Sequence, residues 1–340
     1  MDRSQGRAAD RAPVAATLTV VTLTASAVAA VLALARMSSP ATRRGIELVA
    51  FTPAGLPTAL VGLAAALALL RWRRTWGEPA LVMAAGLTLL HVWWLAPWFV
   101  GEMPLADPTG TRLVVMTQNL EEGDAEELAT LVRRHAVDVL VLTDAPEDQV
   151  SDVEATGIAG TLPYSTLDHG RGSVVWSRYP LSSDTPISEG GDSRVVTLDV
   201  PGLSTVSLVA VHPTPPYQAD GARWQADWEQ VIDRLEMSYG DRVDGRVLVV
   251  GDLNATADHW PVRSLVGMGF RDVAEQLNSG LATTWPANGL QTRLGVTLPT
   301  VFALDHVLTA PGLVPTDQVV TGAVGSDHRA VIATLAPAAR

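Results

Sequence analysis

Two patterns of apolar residues divide the chain. Ala12 to Ala35, Leu48 to Leu70 and Pro79 to Gly101 are charge-free runs of 23 or 24 residues. At 1.5 Å per residue each helix would be about 35 Å long, enough to cross a hydrocarbon core of about 30 Å. Beyond them the apolar runs shorten to four to seven residues: "RLVVMT", "VLVLT", "SVVWS", "RVVTLDV", "TVSLVAV", "RVLVV", "DHVLTA" and "AVIATLA". Runs of that length read as buried strands. Helical spacing appears in "DAEELATLVRRHA" and in "ADGARWQADWEQVIDRLEMS", where Trp224, Trp228, Val231 and Leu235 recur on one face as core contacts. The expected organisation is a three-helix transmembrane region over 1–101, a Pro- and Gly-rich linker over 102–111, and an α/β unit of packed sheets over 112–340.

Charge supports that division. Residues 1–100 hold nine Arg against four acids (+5), and residues 101–340 hold 15 Arg against 32 acids (−17), which gives the total of −12. There is no Lys and no Cys, so disulfides, zinc–thiolate sites and thiol nucleophiles are excluded. Arg3, Arg7 and Arg11 before the first run would suit a cleaved signal peptide, but two further spans make it a signal anchor. With the N-terminus inside, six Arg flank the inner ends (Arg3, Arg7, Arg11, Arg71, Arg73, Arg74) and four the outer (Arg36, Arg43, Arg44, Arg112), which places residues 102–340 outside the cytoplasm. Trp93, Trp94 and Trp98 suit an interfacial belt, and His91 among them reads as an interface residue.

The polar residues with chemistry to offer sit at strand ends. Gln118 and Asn119 follow the first strand, Asp144 the second, His212 ends "SLVAVHP", and Asp252 and Asn254 end "RVLVVGDLN". Asp305 opens "LDHVLT", and Asp327 and His328 open the last strand in "GSDHRAVIATL". Singly each is an ordinary turn residue. Together they supply the carboxylates, amide and imidazoles of a hydrolytic site.

The ordered set "TQN", "VLVLTD", "VVWSRYPL", "VAVHP", "VVGDLNA", "TTWP", "LDHVL" and "GSDHRAV" resembles the endonuclease/exonuclease/phosphatase superfamily, the DNase I-like phosphohydrolases, across almost all of residues 112–337. That resemblance implies a four-layer α/β sandwich and hydrolysis of a phosphate ester with Mg²⁺ or Mn²⁺. Hard oxygen donors and the absence of Cys fit such ions. It further implies that Asn119 and Asp144 hold or orient the metal, with Asp327 near it. Asp252 would activate the attacking water and Asn254 bind a phosphate oxygen. His328, paired with Asp305, and His212 would face the phosphate, while Arg178 and Trp285 fall at substrate-binding positions. His135, His169, His259 and His306 are assigned to surface or packing.

One departure stands out: Asp144 occupies the place where the family usually has Glu, and its reach is shorter by about 1.5 Å. A unit at −17 without an Arg cluster does not suit gripping duplex DNA, which is held largely through its phosphates. The expected substrate is therefore a lipid headgroup or other small extracytoplasmic phosphate ester. An extracytoplasmic nuclease is the alternative, and a non-catalytic tethered binding module is a second.

Overall fold

In the computed structural model, residues 3–71, 74–166, 172–187, 191–289, 291–293, 296–322 and 324–339 are described, so the assignment of His169 lies outside them. The chain divides into Met1–Pro97 and Trp98–Arg340.

The first unit holds α1 (Arg3–Ser38), α2 (Arg43–Ala50), α3 (Gly55–Leu70) and α4 (Arg74–Leu95). Three stretches are long and apolar enough to cross a membrane: Pro13–Ser38, Thr52–Leu70 and Gly77–Trp98. The first runs past Arg36, whose guanidinium lies 4.3 Å above the Trp94 ring. The second starts later than expected because α2 is a separate helix, followed by a short turn at Thr52–Ala54 around Pro53. His91, expected at the membrane interface, is buried within this unit. Its Nε2 meets the Ala29 carbonyl at 3.1 Å, and its ring fills the space that a side chain at Gly55 would take. A polar ring among apolar helices is tolerable there because a helix carbonyl answers it.

The second unit is built on two six-stranded sheets among the described residues. Its elements run β1 (Leu113–Asn119), α5 (Ala125–Arg134), β2 (Val139–Thr143), α6 (Glu147–Ala155), β3 (Tyr164–Ser165), β4 (Val174–Ser177), β5 (Leu181–Pro186), β6 (Arg194–Val200) and β7 (Ser204–Ala210). Then come α7 (Ala222–Tyr239), β8 (Val247–Asp252), α8 (Trp260–Gly267), β9 (Arg271–Asp272), α9 (Val273–Gln276), β10 (Thr292–Arg293), β11 (Val296–Thr297), β12 (Asp305–Thr309), β13 (Leu313–Val320) and β14 (Val331–Pro337). One sheet has the order β13-β14-β1-β2-β4-β3 and the other β5-β6-β7-β8-β12-β9. Each contains a single parallel pair, β1 with β2 and β7 with β8, in an otherwise antiparallel ladder.

Alternation along the strands explains the layers. Leu113, Val115, Val139, Val141 and Val331 face Leu198, Leu208, Leu248, Val250 and Val307 in the core between the sheets. Met116, Leu140, Leu142 and Trp176 point outward, against Leu128, Leu131 and Val132 of α5 and Val153 of α6. Every residue of β8 is buried, so that strand is covered on both faces. The result is the two mixed sheets with outer helices expected of a DNase I-like sandwich.

Residues 102–111 do not form a free linker. Ala106 bridges to Ala338, the Leu105 carbonyl accepts from Ala339 N at 2.8 Å, and Asp107 N donates to the Pro337 carbonyl at 2.9 Å. The stretch lacks regular structure, as its Pro and Gly content implied, yet it pairs with the strand that closes the chain.

The parallel pairs bring the ends of β1, β2, β7 and β8 to one side of the sandwich, and antiparallel β12 and β14 begin there. Gly251 secures this convergence. With φ at +147°, a side chain at that position would run into the Val211 carbonyl, just past the end of β7. Gly251→Ala should therefore lower the stability of the full chain by about 2–4 kcal/mol in chemical denaturation and displace both flanking site residues; unchanged stability would contradict this close approach.

Candidate active site

The site begins with a buried carboxylate at the end of β8. Asp252 is 1% exposed. Its Oδ1 accepts from Asn254 N at 2.8 Å, and its Oδ2 accepts from Asn119 Nδ2 at 3.0 Å. The same Oδ2 lies 3.8 Å from His328 Nε2 and 4.0 Å from His212 Nε2. Those gaps exceed hydrogen-bond length, so one carboxylate is pinned by two amide donors with two imidazole nitrogens near its Oδ2.

The two imidazoles are held differently. His328 Nδ1 meets Asp305 Oδ2 at 2.7 Å, and Asp305 sits opposite Asp252 in the β12–β8 ladder. Ser326 Oγ accepts from His328 N and donates to the Asn119 carbonyl, which ties the turn before β14 to the end of β1. Burial opposes charge on His328, but the carboxylates of Asp305, Asp252 and Asp327 outweigh it and push its pKa up to about 10. His328 is thus cationic at neutral pH. His212 N donates to Ser193 Oγ at 3.1 Å, and Nδ1 lies 3.7 Å from Asp192 Oδ2. Its Nε2 is buried with no hydrogen-bond partner among the described residues. Burial again opposes the charged form, and Asp192, Asp252 and Asp144 together raise the pKa above its ordinary 6.5.

Asn254 occupies a left-handed conformation, φ +45°, which a non-glycine residue keeps only when its surroundings hold it. Its Nδ2 donates to the Pro213 carbonyl at 3.0 Å, and its own carbonyl accepts from Trp224 Nε1 at 3.0 Å. Trp224 is therefore more than a core contact: it fixes the turn that aims Asn254.

A second group of acids faces the same region. Asp144, exposed and at φ +47°, follows the last paired residue of β2, directly beside the end of β1. Asp327 Oδ2 accepts from Trp285 Nε1 at 2.8 Å and Gln291 Nε2 at 3.3 Å. Its Oδ1 is buried without a partner among the described residues, 3.8 Å from His328 Nε2. Glu121, which sequence reasoning passed over, joins them. Its N donates to Asn119 Oδ1 at 3.1 Å, and partial burial together with the charges of Asp144, Asp327 and Glu122 raises its pKa, opposed by His328.

These all-oxygen donors fit a hard divalent cation, with Asp144, Asp327, Glu121 and the Asn119 amide oxygen as the residues that would hold it. Asp252, Asp305 and His328 also present ligand atoms within 4.8 Å of one another. There, however, His328 Nδ1 is committed to Asp305 and the ring is charged, which favours an acid–base pair over ligation.

Not every expected residue arrives. Arg178 lies at the opposite end of the β2–β4 pair, with its Nε 2.7 Å from Asp138 Oδ1 and its NH2 3.2 Å from the Val137 carbonyl. It braces the start of β2. Trp285 does reach the site, tilted toward His328 with ring centroids 6.4 Å apart, and stacks on Phe302. Asp192 and Ser326 were missed because a single Asp or Ser in a Gly-rich turn carries no signal of its own.

The comparisons bear on family and fold. The family model described as Endonuclease/Exonuclease/phosphatase family matches residues 116–328. TDP2 from Caenorhabditis elegans is 16% identical over 82% of this chain and 89% of that one, with a TM-score of 0.54. TDP2 from D. rerio, solved with a single-strand DNA product, is 18% identical over 66% and 99%, with a TM-score of 0.53. An endonuclease/exonuclease/phosphatase from Beutenbergia cavernae DSM 12333 is 20% identical over 67% and 72%, with a TM-score of 0.49. No match was found among curated proteins. At these identities the structural likeness speaks to fold.

His306 shows the packing role expected of it. Its Nδ1 meets Asp272 Oδ2 at 2.6 Å, while Nε2 faces the carbonyls of Ala255 at 3.1 Å and Ala303 at 3.0 Å. Every partner is an acceptor, so both nitrogens carry hydrogen and the ring is cationic. Burial opposes this, but the bond to Asp272 and its charge raise the pKa above the ordinary 6.5. A raised cationic pKa contributes stability that is complete below about pH 6.5 and is lost as pH rises through the folded value. The melting temperature should therefore fall on raising the pH above neutrality, and His306→Asn should lower it and flatten that slope; equal slopes for both proteins would contradict the charged pair.

Proposed function

Since the chain belongs to the endonuclease/exonuclease/phosphatase family, whose members are metal-dependent phosphoesterases and nucleases, we propose that it is a membrane-anchored phosphoesterase acting on a lipid headgroup or another small extracytoplasmic phosphate ester. The observation that carries the reading is Asp252, a carboxylate fixed by Asn119 and Asn254 with the Nε2 atoms of His212 and His328 near its Oδ2. Its fixed oxygens accept the proton of a water aimed at phosphorus. Cationic His328, kept in place by Asp305, faces the phosphate and stabilises the charge that builds on it. His212 Nε2, buried and unpartnered, donates to a second oxygen, and the Asn254 amide to a third. Asn119, Asp144, Glu121 and Asp327 would hold the divalent cation, which would supply neutralisation of the phosphate charge.

The acidic balance of residues 101–340, −17 with no Lys, supports a small or lipid-borne ester over a duplex. The inner-face excess of Arg, six against four, supports a catalytic unit outside the cytoplasm.

The test uses intact cells carrying the full chain, given Mg²⁺ or Mn²⁺ and, separately, bis-(p-nitrophenyl) phosphate, phospholipid vesicles and plasmid DNA. Nitrophenol and headgroup release without cell lysis, abolished by a chelator, is expected. Release only after lysis would reverse the orientation, rapid plasmid nicking without headgroup release would favour the nuclease, and no metal-dependent turnover of any ester would leave the binding module.

A further inference from the structure

The segment that follows the third span carries four large apolar side chains turned to solvent. Phe99 is 58% exposed, Val100 73%, Met103 59% and Leu105 78%. A chain entering a soluble unit would ordinarily bury or avoid such residues, and clusters of them mark contact surfaces. This segment is also not loose. The Trp98 carbonyl accepts from Gly280 N at 2.9 Å, Asn278 Nδ2 donates to the Gly101 carbonyl at 3.1 Å, and Leu105 to Asp107 pair with Pro337 to Ala339. The Phe99 ring packs on Gly280, where a Cβ would lie 3.2 Å from it. The apolar side chains are thus mounted on the catalytic unit at several points along their length.

We propose that Phe99, Val100, Met103 and Leu105 form a face of the catalytic unit that lies in the headgroup layer of a phospholipid bilayer. The inference rests on the reading that the three apolar helices span a membrane. What selects the bilayer over another occupant is continuity. The segment begins where the third apolar stretch ends, at Trp98, and Leu105 is seven residues further on, so these side chains cannot leave the vicinity of the surface. Its charge sets the kind of contact. Glu102 and Asp107 are the charged residues between Trp98 and Gly110, so contact depends on apolar insertion and not on attraction to anionic lipid. The consequence is for substrate: the unit is held by a fixed face at the surface, where phosphate esters in or against the bilayer are the ones it meets most often.

The chain has no cysteine, which allows single-site labelling of the whole protein. Met103→Cys and Leu105→Cys, each carrying a polarity-sensitive fluorophore, are reconstituted into phosphatidylcholine vesicles containing lipids with a nitroxide near the headgroup or near the chain end. Met237→Cys, 78% exposed elsewhere on the unit, serves as the wet reference, and Leu89→Cys, 69% exposed on the third apolar helix, as the deep one. Expected are blue-shifted emission and loss of intensity to the shallow nitroxide at 103 and 105, loss to the deep nitroxide at 89, and neither at 237. Sites 103 and 105 as wet as 237, with 89 quenched, would overturn the docking face alone. A blue shift at 103 and 105 without nitroxide quenching would overturn it in favour of a second copy of the chain. No quenching at 89 would remove the spanning premise and the inference with it.

Discussion

Asp252 is a carboxylate that the fold must keep in place at the buried edge between two sheets. Both its oxygens are spoken for, by Asn254 N and Asn119 Nδ2, and the donors come from opposite sheets of the sandwich. An anion 1% exposed is costly unless it is met by donors and positive charge. Here the charge is supplied by His328, itself kept cationic by Asp305, with His212 also near. The stacking of the sheets must therefore set Asn119 against Asp252, and the β8–β12 register must set Asp305 opposite it, since a slip of one residue in that ladder would turn Asp305 away.

The supports around that carboxylate follow from it. Gly251 lets β8 run against the Val211 carbonyl, which sets Asp252 beside His212. Ser326 and Gln118 bond to backbone around Asn119 and His328, joining the first and last strands of the domain. Trp224 reaches from α7 to hold the left-handed turn at Asn254. None of these need touch substrate, yet each fixes an atom that would.

What the sequence made legible were elements whose signal is contiguous. The apolar runs at Leu113–Asn119, Val139–Thr143 and Val247–Asp252 are strands, and the polar residues at their ends converge as their motifs implied. Arg178 was misplaced because adjacency to a motif does not say which end of a strand a residue occupies. β4 runs antiparallel to β2, so the residue after it lies away from Asp144. The packing of His91 against Ala29 was not legible because hydropathy does not say which side of a helix faces its neighbours. Glu121 is one acid among several in the turn after β1, and only the pairing of Asn119 with Thr143 brings it toward Asp144. Composition marked residues 102–111 as irregular, which they are, but long-range pairing with Pro337 to Ala339 has no local signature.

The proposed base, Asp252, is the group on which the contacts of Asn119 and Asn254 converge. Asp252→Asn keeps the shape and removes the charge, and it can be measured as the kcat of full-length protein on bis-(p-nitrophenyl) phosphate, with metal binding followed by calorimetry. If Asp252 is the base, kcat is lower by about 10²–10⁴-fold with metal still bound and KM little changed. A variant that turns over at the wild-type rate would contradict it.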